Sequence, residues 1–289
     1  MAAAEHLTPH AQRSDTLPTT PHEQIAELLT ASPHFVELSP SAKQYCADAG
    51  VLRRYIDCAA ALDCPAEENV GFLLATAQWR DEQRIDALLQ SEADLAFERG
   101  LRPLLLYDLT ADSRGRPLMI ERIGAWDVGA LTAVADAQAE EVTRAHILVS
   151  EWIRQAVDTL GRTRLTPKDR QATLIFDMEG IGWSHLRATT IMNLFSTMSS
   201  MDSNHFPDTL GTIFIVNTSR LFSLLWSAAS NFLAESTCQK VQVFAWNDVE
   251  AMQAAVIETC GVECLPQELG GKRTDAPPYH FEKVAAPLK

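Results

Sequence analysis

The chain has 289 residues, of which 46% are hydrophobic, and carries a formal net charge of −14. That balance excludes general nucleic-acid binding, which needs basic patches to neutralise phosphates. It also excludes permanent adhesion to an anionic bilayer, where each basic residue near the surface contributes about 1 kcal/mol; transient contact through an apolar element stays open.

Residues 1–19 are polar and read as a disordered tail. Thr20-Pro21-His22-Glu23 starts a helix: Thr20 caps, Pro21 takes the first helical position and Glu23 completes the box. Further helices are predicted at 40–62, 66–78 and 81–99, the last ending at Gly100 with Pro103 beyond it. The block 20–100 is therefore helical, with no strand before residue 100. From 101 to 272 the pattern alternates. Apolar runs at 117–123, 171–178, 212–217 and 241–245 predict buried strands, and 127–160, 185–201, 219–234 and 248–259 predict helices between them. This order implies an α/β fold, a mixed, mainly parallel sheet flanked by helices. Residues 273–289 form a Pro-rich tail. The N-terminus has no long apolar core of a secretory signal. The six scattered cysteines read as reduced thiols of a cytoplasmic protein rather than as metal ligands.

Chemistry-bearing motifs are sparse. No phosphate loop and no metal-ligand cluster occurs, so no cofactor and no metal are expected. Gly182-Trp183-Ser184-His185 resembles part of a nucleophile elbow, but Leu186 stands where that turn needs glycine. Ser184 reads instead as a helix cap, with an α/β hydrolase using Ser184 as the minor alternative.

The most telling segment is 219–234. Leu221, Phe222, Leu224, Leu225, Trp226, Ala228 and Phe232 leave it almost no polar face. Such a helix is buried in a core or in lipid. This one is too short to span a bilayer, which takes about 20 apolar residues. It is either a fixed core helix or a movable wall. Met192, Phe195 and Met198 on the preceding helix suit a soft cavity wall, and equally plain core filling.

Four motifs follow one another in a recognisable order. They are Gly115-Arg116-Pro117 with Gly124; Leu174-Ile175-Phe176-Asp177-Met178-Glu179-Gly180; Phe206-Pro207-Asp208, Gly211, Ile215-Val216-Asn217, Phe232-Leu233, Thr237 and Lys240; and Leu265-Pro266-Gln267-Glu268-Leu269-Gly270-Gly271-Lys272. Together they resemble the CRAL-TRIO family of lipid-binding and lipid-transfer proteins. The resemblance implies a helical N-terminal block, an α/β domain with an apolar ligand cavity, and non-enzymatic binding of one lipid at a time. It implies transient contact with membrane surfaces and leaves a protein partner possible at the helical block. It also implies that Asp208, Thr237 and Lys240 meet a headgroup, as in phosphoinositide-binding members, and that residues 219–234 gate the cavity. Phosphatidylinositol or another phospholipid is the implied cargo, with a retinoid- or tocopherol-like hydrophobe as the alternative. The chain departs from the pattern at Ala77 and Gln78, where phosphoinositide binders carry a basic pair. It departs again where choline-lipid binders use tyrosines and hydroxyls: Met119 fills one tyrosine-like place, and Thr173 is one residue out of register.

Overall fold

The computed structural model describes residues 20–274; the tails expected at 1–19 and over most of 273–289 lie outside the described residues. Seven helices come first: α1 (Pro21–Ala31), α2 (Pro33–Glu37), α3 (Pro40–Ala47), α4 (Ala49–Leu62), α5 (Ala66–Glu82), α6 (Ile85–Leu88) and α7 (Glu92–Leu105). The start of α1 is built as its sequence dictates. The Thr20 hydroxyl accepts from the Glu23 amide at 3.3 Å, and Glu23 accepts from the Thr20 amide at 2.8 Å. Three expectations for this block need correction. The helix expected over 40–62 breaks at Asp48, whose extended backbone ends α3 while its carboxylate caps Gly50 and Val51 of α4. The helix expected over 66–78 runs on to Glu82. The one expected over 81–99 is two helices, and Gly100 and Pro103 lie inside α7. Burial of Leu101 and the bidentate pair between Glu98 and Arg102, at 2.7 Å, carry the helix past both residues. It stops at Leu106, in a left-handed conformation, where the Trp126 indole donates to the Leu105 carbonyl at 2.8 Å.

The sheet has five strands in the order β1 (Tyr107–Ala111), β2 (Pro117–Glu121), β3 (Ala172–Asp177), β4 (Leu210–Thr218) and β5 (Val241–Ala245). β1 pairs antiparallel with β2 and the remaining neighbours are parallel. β1 is absent from the sequence reading because Asp108 and Thr110 interrupt its apolar residues. Both fit: Thr110 sits in the ladder opposite Leu118, and buried Asp108 receives the Arg273 guanidinium at 2.7 Å. The β1–β2 turn is held by Asp112, which accepts from the Arg114 and Arg116 amides at 2.8 Å each, with Gly115 supplying a positive φ of 74°.

Between strands run α8 (Val128–Ala137), α9 (Ala139–Gly161), α10 (Trp183–Arg187), α11 (Thr189–His205), α12 (Phe222–Ala229), α13 (Glu235–Cys238) and α14 (Val249–Cys260). The single helix expected over 127–160 is interrupted at Gln138, and only Phe222–Ala229 of the segment 219–234 is α-helical, with a 3-10 turn over Ser230–Phe232. α9 crosses α4 closely: a side chain at Gly50 would meet the Asp158 carbonyl at 2.0 Å. A buried ionic network seals this crossing. Arg54 reaches Asp158 at 2.8 Å, Arg154 joins Asp158 at 2.5 Å and Glu151 at 2.9 Å, and Arg80 pairs with Glu151.

Strand alternation divides the sheet into two faces. Leu118, Ile120, Ile175, Phe214 and Val216 pack against Met252, Val256 and Cys260 of α14. The alternate residues Met119, Leu174, Phe176, Ile213 and Ile215 face the other way, toward Phe222, Leu225 and Trp226.

Candidate functional site

That second face does not close on a solid core. Between it and α8, α9, α11 and α12 lies a chamber of about 930 Å³, near the top of the roughly 300–1,000 Å³ range of ligand sites. Its wall is mostly apolar: the sheet contributes Met119, Leu174 and Phe176, α8 contributes Leu131, and α11 contributes Met192, Phe195 and Met198.

Phe222, Leu225 and Trp226 of α12 turn into the chamber, the Phe222 and Trp226 rings stacked at 5.9 Å. Leu221 and Leu224 do not line it, and Leu224 is 55% exposed on the outer side. Of the apolar residues that the sequence offers here, Phe222, Leu225 and Trp226, and not Leu221 and Leu224, form the inner face. Phe232 is also off the wall, 40% exposed, with its ring edge-on to Phe195 of α11 at 6.5 Å. The backbone of Ala228 belongs to α12; its side chain lies outside what is described.

Asp208, Thr237 and Lys240 all line the chamber. Asp208 sits between α11 and β4 with φ +57°, a left-handed conformation that aspartate tolerates better than most residues. Its carboxylate accepts from Gln171 Nε2 at 2.5 Å and from Arg170 at 3.3 Å, and the fully buried Arg170 also binds Asp57 of α4. Burial raises the Asp208 carboxyl above its usual range, while Lys240 and Arg170 pull it down and Asp57 pushes it up further. Lys240 Nζ donates to the Leu210 carbonyl at 2.6 Å rather than pairing with Asp208. Ala77, at a position where phosphoinositide binders are basic, is fully buried in the helical core. Thr173 faces α14, where its hydroxyl interacts with Cys260, so it is absent from the chamber wall.

Ser184 is exposed inside α10, where Gly182 and not Ser184 holds the capping position. His185 Nδ1 accepts from the Gly182 amide at 3.1 Å and Nε2 meets the Ile123 carbonyl at 3.1 Å. Both ring nitrogens are engaged with backbone, and Nδ1, which the Gly182 amide occupies, also lies 3.5 Å from the Ser184 hydroxyl.

Among the polar residues of the chamber wall that carry no local sequence motif are four on β2, α9 and α11. Glu121 ends β2, His146 and Ser150 stand one turn apart on α9, and Asp202 lies on α11. They are distant in sequence and belong to no local motif; only the polar pair at i and i+4 on an otherwise apolar stretch of α9 hinted at them. The Ser150 hydroxyl and Asp202 both meet His146 at the same nitrogen, Nε2, at 3.4 and 3.0 Å. A nucleophile relay needs the acid on the opposite nitrogen, so this is not a catalytic triad.

A helical block leading into a mainly parallel sheet with an apolar chamber under a short apolar helix defines a hydrophobic-ligand-binding class of α/β fold. The CRAL/TRIO domain matches residues 103–271, and the chain belongs to that family. It is 30% identical over 214 residues to "Protein real-time" of Anopheles gambiae, covering 73% of this chain and 30% of that one. It is 27% identical over 234 residues to the phosphatidylinositol/phosphatidylcholine transfer protein SFH11 of Arabidopsis thaliana, covering 78% of this chain and 58% of that one. Against SFH14 of the same plant it is 31% identical over 197 residues, 67% of this chain and 33% of that one. The chain thus spans between 30% and 58% of the length of these curated relatives. The crystal structure of Sfh5 superposes with a TM-score of 0.60 at 15% identity, over 93% of this chain and 95% of that one, which establishes the shared fold.

Proposed function

We propose that this chain binds one lipid in the chamber and moves or presents it between membranes, without covalent chemistry. The reading rests on one observation: an apolar space of about 930 Å³ walled on one side by α12, whose Phe222, Leu225 and Trp226 point inward. The plant relatives are named for phosphatidylinositol and phosphatidylcholine transfer, and a phospholipid is the cargo proposed here. Its acyl chains occupy the apolar space, and its headgroup meets Asp208, Thr237 and Lys240.

The energetics favour exchange. An acyl chain leaves one hydrocarbon medium for another, so loading and unloading are both accessible. Exposure to water is the obstacle, at about 0.8 kcal/mol per CH₂. An apolar wall that swings onto the bilayer removes that obstacle. In this reading α12 is the wall: Leu224 and Phe232 already face outward to meet lipid, and the Phe195–Phe232 ring contact holds the closed position. No helix among the described residues is long and apolar enough to cross a membrane. Contact is therefore proposed to be peripheral and transient, with the protein otherwise in the cytoplasm.

Native mass spectrometry of the detergent-free protein tests the proposal directly. A co-purifying phospholipid, together with transfer of labelled phospholipid between vesicles, is the expected result. A bound retinoid- or tocopherol-sized hydrophobe in place of phospholipid would replace the cargo assignment, and absence of any lipid uptake would overturn the function.

A further inference from the structure

Glu121 lies on the chamber face of β2, beside Tyr107 of β1 and Phe176 of β3 in the ladder. The polar groups around it are largely occupied with one another. Asp202 of α11 takes His146 Nε2 at 3.0 Å and the Ser150 hydroxyl at 3.2 Å, both from α9. The Tyr107 hydroxyl donates to Glu98 of α7, which also holds Arg102 at 2.7 Å. Among the described residues no hydrogen bond or ion pair engages the Glu121 carboxyl, and His146 is the charged group that acts on it. Burial pushes this acid up to about 8, against the pull of His146. Burial alone would lower His146, but the Asp202 charge and hydrogen bond, with Glu121, raise it.

A free carboxyl in the wall of a hydrocarbon-sized space has a consequence for what fills that space. Acyl chain pressed against a carboxylate strips its water and returns no hydrogen bond, so the acid takes a proton instead. We infer that Glu121 makes cargo loading proton-linked: acyl chain occupies the space beside it only while Glu121 is protonated, and alkaline surroundings favour release. This rests on the lipid-binding reading above and adds a control to it.

The direction follows from linkage. The empty chamber already holds the proton below about pH 8, so affinity is flat there. Above that value loading must take up a proton, and affinity falls by as much as about tenfold per pH unit. His146, raised by Asp202 and Glu121, is the cation that favours ionised Glu121, so loss of its proton softens the fall without reversing it.

The full chain is mixed with phosphatidylcholine vesicles carrying a pyrene-labelled acyl chain, whose headgroup charge stays constant over the range used. Uptake is followed from about pH 6.5 to 9.5, spanning the titration. Wild-type affinity is expected to hold to about pH 8 and then fall about tenfold by pH 9. Glu121→Gln, neutral at every pH, should lack that fall. A fall of equal size in Glu121→Gln, or a flat wild-type profile, overturns the inference while leaving lipid transport standing. Absence of uptake at every pH defeats the transport reading itself. Carbon NMR of carboxyl-labelled glutamate gives a readout independent of the variant's folding. The Glu121 midpoint should move to higher pH when the wild-type chain is loaded, and an unmoved or lowered midpoint overturns the inference.

Discussion

The two faces of the sheet are built from alternate residues of the same strands, yet one is filled and the other is hollow. On the α14 side Ile175, Phe214, Val216, Val256 and Cys260 are fully buried and in mutual contact. On the other side, residues one position along in each strand, Leu174, Ile213 and Ile215, look across open space. Hydrophobic alternation specifies that both faces avoid water. It does not specify the distance to the covering layer, and that distance separates a core from a binding site. The covering helices differ accordingly: α14 buries Met252, Val256 and Cys260, whereas α12 buries only Phe222 among its described side chains. Under the proposed function this sparsely buried helix is the element expected to move, since moving elements come from the low-stability end of a structure.

This contrast is open to direct attack. The largest effect is expected from Phe214→Ala on the filled face, which should cost about 3–5 kcal/mol in urea unfolding. Phe176→Ala, on the hollow face, should cost less than half as much, because it enlarges an existing space instead of opening a new one. Equal losses would erase the distinction between the faces. Next comes Leu224→Asp on the outer side of α12. It should leave unfolding within about 0.5 kcal/mol of wild type, as for an exposed position, while reducing vesicle-to-vesicle transfer several-fold. Transfer at the wild-type rate would show that this surface never meets lipid. Lys240→Ala should weaken retention of a phosphorylated-inositol lipid by about tenfold, the scale of one hydrogen bond to a charged group, and spare uncharged cargo. Equal loss of both cargoes would make Lys240 a strut for the Leu210 carbonyl. The smallest effect is expected from Ser184→Ala, which should change neither stability nor transfer, with no labelling of the wild-type serine by a fluorophosphonate.

Much of this architecture was legible in the residues because burial on both sides writes strands as apolar runs. The β3 run 171–178 and the β4 run 212–217 are plain for that reason, whereas β1 hides because Asp108 is matched by Arg273, 165 positions away in a segment with no visible partner. Helix ends were misjudged where tertiary contacts overrule local signals, as at Gly100 and Pro103. The apolar character of α12 was evident, but not which side faces inward, since nearly every side is greasy. Glu121 was invisible as a site residue. At a strand end it reads as an ordinary surface acid, and only the fold places it beside His146 and near Asp202.

Arg170 joins Asp57 of the helical block to Asp208 of the chamber wall, through a guanidinium wholly removed from solvent. The leading helices are thereby wired into the wall of the chamber. Trimming them away to leave an isolated α/β domain would strand a sealed cation beside half its counter-charge and let the aspartate drift. The upstream segment is thus a keystone of that wall, and a shortened chain tested for lipid uptake should retain it.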